Sequence, residues 1–314
     1  MRLVFLGTPD FAVPTLERIA EAGHEIAAVL TQPDRPRGRG RQVAASPVKE
    51  AALRLGLTVY QPERVRRPEA IELLRSQAAD AMVVVGYGQI IPQAVIDLAP
   101  LGIINVHASL LPKYRGAGPI QWAILNGETR TGVTTMRIDA GLDTGDMLLK
   151  AETEIGPDEN ALELGRRLAI MGAELLVKTL DGLAAGTIVP EKQDDSQATY
   201  APLLKKEDGL IDWSQPAAAI HNRVRGLQPW PGAYTAFRGH ALHIWKTARA
   251  AADHAVSGSS PGQIAGVRPL VVRCGEGALE MLEVQLEGRK RMSGAEFANG
   301  QRIAENEILG ERRT

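Results

Sequence analysis

The chain has 314 residues, 44% of them hydrophobic and 23% charged, with 36 Lys+Arg against 37 Asp+Glu. That length allows one large domain or two ordinary ones, with a core that needs no covalent staples. Cys274 is the one cysteine, which excludes an internal disulfide and a Cys-based zinc site, and no apolar run reaches the roughly 18 residues of a membrane span.

The first 11 residues, MRLVFLGTPDF, hold too short an apolar run for a signal-peptide core. A cytoplasmic protein is expected. Leu3 to Leu6 reads as a buried strand ending at Gly7, and Ala12 to Ala22 has helical spacing that Gly23 terminates. Ile26 to Leu30 is a second strand. The segment DRPRGRGRQ follows, with four arginines between Arg35 and Arg41 in a setting that reads as neither helix nor strand. Ser46 and Pro47 open a helix to Gly56, Ser as N-cap and Pro at the first position. Leu57 to Tyr60 is a strand, Pro68 to Ala78 a helix, Ala81 to Val85 a strand, Pro92 to Leu98 a short helix and Ile103 to His107 a strand. This alternation predicts a Rossmann-like α/β fold, a doubly wound and mostly parallel sheet.

The rhythm then changes. Gly118 to Asn126 suits a helix, while Gly132 to Ile138 and Asp146 to Ile155 follow too closely for a crossover and predict an antiparallel addition. Asp158 to Gly186 is a long amphipathic helix. From Val189 the composition is polar and aperiodic, and it reads as a linker. Beyond Gly232 short strands with turns between them predict a β-rich, OB-like barrel: Ala233 to Phe237, Ala241 to Lys246, Gly262 to Val267, Leu270 to Cys274 and Ala278 to Gln285. The expected division is a catalytic domain over 1–188, a linker over 189–207 and a second domain over 208–314. Residues 205–314 carry 15 Lys+Arg and 12 Asp+Glu, the remainder 21 and 25, so the second domain leans basic.

Gly7 to Asp10 lacks the G-x-G-x-x-G spacing of a dinucleotide site, and no P-loop, H-E-x-x-H or G-x-S-x-G occurs. The fifth strand carries the chemistry. Asn105 and His107 are two apart, on one side of an extended segment. The loop Gly141 to Asp146 supplies Asp143. An amide to meet an oxyanion, an imidazole to move a proton and a carboxylate to set the imidazole suit an acyl transfer to an amine. The residues alone equally allow a core Asn and His held by backbone groups, with Asp143 in a turn. Cys274 reads as a packed strand residue. His221, His240 and His243 lack metal spacing, and the last two read as a solvated strand end; no metal is expected.

The blocks Asn105 to Pro112, Lys113 to Gln121, Thr131 to Val133 and Gly141 to Asp146, in that order, resemble the folate-dependent formyltransferases. Gly7 to Ala12, Thr31 to Pro36, Gly38 to Gly40, Ser46 to Lys49, Asn222 to Leu227 and Pro229 to Ala233 resemble the branch that acts on an aminoacylated tRNA. The resemblance implies transfer of the formyl group of 10-formyltetrahydrofolate to methionyl initiator tRNA, with Asn105, His107 and Asp143 catalytic. It implies a folate site at Ser109, Leu110, Leu111 and Pro112 with Gln89, Ile90 and Ile91 at the pterin end, and Phe11 in a methionine pocket. It aligns Arg39 with an arginine that enters the tRNA acceptor end, with Arg35, Arg37 and Arg41 adding diffuse attraction. A monomer without membrane contact is expected. Lys113-Tyr114 stands where Arg-Trp is common in the family, and Trp122 where Arg is frequent. Formyl transfer to glycinamide ribonucleotide, formyltetrahydrofolate hydrolysis and non-catalytic RNA binding are the alternatives.

Overall fold

A computed structural model of the chain describes residues 1–37, 42–250 and 260–310. Its described residues form two compact units. The first comprises Met1–Pro119, Arg130–Glu154 and Gly165–Ala201; the second comprises Ile120–Thr129, Ile155–Leu164 and the residues from Pro202 onward.

The first unit contains β1 (Arg2–Gly7), α1 (Val13–Glu21), β2 (Glu25–Leu30), β3 (Arg35–Arg37), β4 (Gln42–Ala44), α2 (Pro47–Arg54), β5 (Val59–Tyr60), α3 (Pro68–Ser76), β6 (Ala81–Val85), α4 (Gln93–Ile96) and β7 (Ile103–His107). Beyond α5 (Pro119–Leu125) come β8 (Arg130–Arg137), β9 (Met147–Glu154) and α6 (Ala161–Ala184). Seven strands make one sheet in the order β5-β2-β1-β6-β7-β8-β9. Its first five strands are parallel, and β8 and β9 extend it antiparallel. The central strands are apolar on both faces because helices cover both, and Leu3, Val4, Phe5 and Leu6 are fully buried. Val106 points to the face where α6 lies: a Cβ on Gly172 would meet Val106 Cγ1 at 2.6 Å, so a small residue there lets helix and sheet close. Asn105 and His107 therefore occupy the other face.

The arginine segment departs from its expected irregularity. Residues 35–37 and 42–44 pair as a two-stranded antiparallel ribbon, in the register Arg35↔Ala44, Pro36↔Val43 and Arg37↔Gln42. Pro36 is tolerated because the ribbon is all edge, with no ladder hydrogen bond required on its outer side. Residues 189–201, read above as linker, are hydrogen-bonded into the first unit through Met147 and Glu191 and through Arg115, Thr199 and Ala201.

The second unit adds α7 (Ala217–Gly226), β10 (Ala233–Phe237), β11 (His240–Arg249), β12 (Ile264–Val267), β13 (Leu270–Arg273), β14 (Ala278–Leu286), β15 (Met292–Ser293) and α8 (Gly294–Gly300). The strands form one antiparallel sheet in the order β10-β11-β14-β13-β12, with β15 on β14. Trp213, Ile220, Val224, Phe237, Leu279 and Phe297 belong to its core. Neither α7 nor α8 was anticipated. Cys274 packs in this core, and burial pushes its thiol up to about 12, which leaves no reactive thiolate. Among the described residues no helix is long and apolar enough to cross a membrane.

Candidate active site

The chain runs from β1 outward to β2 and β5, then returns to β6 on the other side of β1. Such a switch point opens a crevice beyond the carboxyl ends of the strands. A cavity of about 300 Å³ lies there, lined by Thr8, Gln32, Pro33, Arg35, Ser46 and Gly88 among others. The Thr8 hydroxyl and the Gln32 amide both donate to the Tyr87 carbonyl, tying the ends of β1, β2 and β6 together.

Asn105 and His107 lie on β7, two strands from β1. His107 is buried, and its Nε2 lies 2.9 Å from the Tyr114 carbonyl oxygen. A carbonyl only accepts, so Nε2 carries the hydrogen. Its Nδ1 faces Asp143 Oδ2 at 3.7 Å. The Asn105 amide approaches Asp143 Oδ1 at 3.5 Å. Gly116 N–H donates to Asp143 Oδ2 at 2.8 Å. Three residues separated by up to 38 positions thus meet around one carboxylate.

Asp143 does not arrive from a carboxyl end of the parallel strands. Its loop leaves β8, which runs antiparallel to β7, beside Ile103 and Ile104, and folds back over the sheet to reach Asn105 and His107. Asp143 has φ 53°, left-handed for a residue with a side chain. Asp139 caps the loop by accepting from Gly141 N and Thr144 Oγ1.

The other expected site residues are placed as follows. Ser109 is fully buried and donates its hydroxyl to the Lys113 carbonyl at 2.6 Å, while its own carbonyl accepts from Thr134 Oγ1. Leu111 is buried, and Leu110 and Pro112 are half-buried. The Leu111–Pro112 peptide is cis. Gln89 uses its side chain to fix its own loop, accepting from Val65 N at 2.7 Å and donating to the Pro62 carbonyl. Ile90 is 93% exposed, and Ile91 packs against the core. Phe11 is half-buried in a 3-10 turn after β1. Arg35 is exposed on β3, the backbone of Arg37 ends that strand, and Arg39 and Arg41 lie outside the described residues.

The two departures from the family pattern also have partners. Tyr114 is buried at φ 62° and supplies the carbonyl that holds His107. Trp122 Nε1 donates to the Pro202 carbonyl. His243 is half-buried, its ring 5.9 Å from Trp245 and 5.8 Å from Tyr234, so it is no solvated strand end; packing between aromatic neighbours outweighs its polarity. Among the described residues no group of three His, Cys, Asp or Glu could hold a metal.

A larger cavity of about 450 Å³ lies in the second unit, where His221 lies 3.3 Å from Asp158 and Arg291 3.7 Å from Glu283.

Sequence periodicity missed two contributors, Gln193 and the backbone N–H of Gly116. Only the Lys113-to-Gly118 block hinted at the second.

A family model described as formyl transferase matches residues 1–180, and one described as formyl transferase, C-terminal domain, matches 203–302. The methionyl-tRNA formyltransferase of Solibacter usitatus is 77% identical over 311 residues, 99% of each chain. That of Geotalea uraniireducens is 51% identical over 314 residues, again 99% of each. Among solved structures, WlaRD, a sugar 3N-formyl transferase in the presence of dTDP and 5-N-formyl-THF, matches with TM-score 0.66 and 18% identity over 92% of this chain and 99% of its own. HypX from Aquifex aeolicus, in complex with tetrahydrofolic acid, matches with TM-score 0.65 and 16% identity over 99% of this chain and 51% of HypX, so this chain spans about half of HypX. The two structures share the fold. With the first model covering more than half its length and relatives alike from end to end, this chain belongs to the formyl transferase family.

Proposed function

We propose that this chain is an enzyme that transfers the formyl group of 10-formyltetrahydrofolate to the α-amine of methionine esterified to initiator tRNA, for use in translation initiation. One observation carries the reading: Asn105, His107 and Asp143 converge in a chain 77% identical to a methionyl-tRNA formyltransferase. The reaction forms a bond from the amine nitrogen to the formyl carbon and breaks the bond from that carbon to the folate nitrogen. One proton passes from the amine to the folate nitrogen.

The side chains divide this work. The Asn105 amide offers an N–H to the formyl oxygen as it gains charge. His107 spends its Nε2 hydrogen on Tyr114, so Nδ1 is the nitrogen that takes and returns the proton. Asp143 faces that nitrogen and balances the charge it carries when protonated. The donor set fits a formyl group bound to nitrogen. Exposed Ile90 with half-buried Ile91, Leu110 and Pro112 supply apolar surface for a pterin ring, while Ser109, Leu111 and Gln89 hold the loops that present it. Phe11 lines the methionine pocket. Arg39 reaches the tRNA acceptor end, and Arg35, Arg37 and Arg41 add a diffuse attraction.

The first unit is the catalytic domain and the second binds tRNA. In support of that role, Tyr234, His243 and Trp245 form a row of rings, and the Arg291 guanidinium covers Trp245 at 3.5 Å. The enzyme acts as a monomer in the cytoplasm, with tRNA and folate as its partners.

The test offers the purified protein 10-formyltetrahydrofolate with methionyl initiator tRNA, with glycinamide ribonucleotide, or with water alone. Formyl transfer only to the tRNA is expected; transfer to the ribonucleotide, or hydrolysis alone, overturns the proposal.

A further inference from the structure

We propose that Gln193 and Arg115 are positioning residues of the formyl-transfer centre, and that the polar strap from Glu191 to Ala201 belongs to its machinery. The inference rests on the catalytic reading of Asp143 given above. Gln193 donates both hydrogens of its amide, one to the Asp143 carbonyl and one to the Gly145 carbonyl, each at 2.8 Å. Its oxygen accepts from Arg115 Nε at 3.0 Å, which fixes the orientation of the amide. Arg115 is 2% exposed and is held by Asp195 Oδ1 at 2.7 Å. A guanidinium so deeply placed needs these acceptors, so the network stands or falls as a unit.

The strap touches each loop that shapes the centre. Glu191 and Met147 exchange both backbone hydrogen bonds at 2.8 Å, just beyond the Asp143 loop. Thr199 Oγ1 accepts from Tyr114 N, the residue whose carbonyl holds His107. The Thr199 carbonyl accepts from Arg115 N, and the Arg115 carbonyl from Ala201 N. The Ala201 carbonyl accepts from Gly118 N. Asp143 holds a left-handed backbone without being glycine, so its conformation needs enforcement from outside its own turn. Gln193 supplies that enforcement at the two carbonyls flanking the turn. Asp143 Oδ2 is thereby kept between His107 Nδ1 and Gly116 N.

The test uses Gln193→Glu, Gln193→Ala and Asp143→Asn in the full chain. Gln193→Glu keeps an acceptor for Arg115 and makes an ion pair with it, but it loses both donors to the Asp143 loop. We expect kcat to fall about 10²-fold in Gln193→Glu and in Gln193→Ala, as for a misplaced reacting group, with KM for folate and tRNA little changed. Gln193→Glu should melt somewhat earlier than the parent, because a carboxylate oxygen replaces the donor to two carbonyls, yet remain folded at the assay temperature. Added to Asp143→Asn, either change should cost almost nothing further, because Gln193 acts through Asp143. Parental kcat in Gln193→Glu, losses that multiply with those of Asp143→Asn, or unfolding of Gln193→Glu each overturn the proposal. Full activity in Asp143→Asn alone would instead overturn the underlying catalytic reading, so the two failures are distinguishable.

Discussion

Gly116 has φ 115°, and a Cβ there would lie 2.7 Å from the Ala201 carbonyl oxygen. Both facts bar a larger residue, and the same backbone N–H donates to the Asp143 carboxylate. Gly116→Ala should therefore do two separable things. Backbone strain of about 1–3 kcal/mol should lower the melting temperature. Displacement of the N–H should lower kcat about tenfold or more. A variant that melts earlier but keeps full kcat would show that this donor does not shape the centre. Asn105 and His107 differ from Gly116 in that the proposed mechanism gives them the chemistry directly. Asn105→Ala removes the proposed oxyanion donor, and a loss of about 10²–10³ in kcat is expected, with little change in stability because Asn105 is only half-buried. His107→Ala should lose turnover comparably but also some stability, since it leaves the Tyr114 carbonyl without this donor. Full activity in either variant, measured by single-turnover formylation, would remove that residue from the mechanism. As candidates, Asn105, His107 and Asp143 stood out in the sequence because polar residues interrupt an otherwise apolar strand and a Gly-rich turn follows, and the structure brings the three together. Gln193 was not: it stands 50 residues from Asp143, and nothing in its polar surroundings signals a long-range hydrogen bond.

The arginine ribbon is held at its roots. Lys49 Nζ bonds Asp34 Oδ2 at 2.5 Å and Gln61 Oε1 at 2.8 Å, and Gln61 Nε2 returns to Asp34 Oδ1 and to the Gln32 carbonyl. On the other side Ser46 caps α2 by accepting from Lys49 N, and its hydroxyl pairs with Thr31 Oγ1 at 2.7 Å. One lysine of α2 thus anchors β3, while the cap of the same helix anchors β4. Lys49→Met should raise KM for tRNA while KM for folate stays at the parental value; equal changes in both would show that the clamp serves the whole unit. The clamp also predicts a pH dependence. The hydrogen bonds from Lys49, then Gln61, hold the Asp34 carboxyl below the usual carboxylate range. Its contribution is therefore fully present above the unfolded value of about 3.9 and is lost as pH falls through the lower folded value. Asp34→Asn should lie below the parent in thermal melts at neutral pH and converge on it only in strong acid; a gap independent of pH would rule out this linkage. The large elements were legible from apolar runs, Pro47 and Pro68 at helix starts, and Gly at helix ends. The ribbon was not, because the sequence DRPRGRGRQ carries no apolar run or alternation to mark a strand. Signals for α7 and α8 existed but are short: Ile220 and Val224 four apart, and the Ser293 to Glu296 capping box.

At the scale of the molecule, two compact units correspond to two family regions, yet the units are not two contiguous halves of the chain. Stretches 120–129 and 155–164 group with the second unit, and 165–201 with the first. Hydropathy shows where strands and helices form; it does not show which polar segment stays with which core, and for that reason 189–201 read as linker. Charge follows the linear sequence and not the units, because the stretches that join the second unit bring Glu128, Asp158, Glu159 and Glu163. Residues 205–314 have three more basic than acidic groups, the remainder four fewer, and the arginine ribbon is the local exception in the acidic part. A folate is a small ligand, whereas tRNA is a polyanion whose counterions are released on binding. KM for tRNA should therefore rise steeply with salt while KM for folate changes little. Each lost phosphate contact should reduce the logarithmic salt slope by roughly 0.7 to 0.9. Arg39→Ala should raise KM for tRNA and flatten that slope by about one such step, with folate affinity intact. Asn105→Ala should lower kcat and leave the slope unchanged, because the partner proposed for its amide is the formyl oxygen and not a phosphate. If Arg39→Ala kept the parental slope, the arginine segment would not be reading phosphate charge. Recognition of the acceptor would then rest on the second unit and its ring-and-guanidinium row at Trp245 and Arg291.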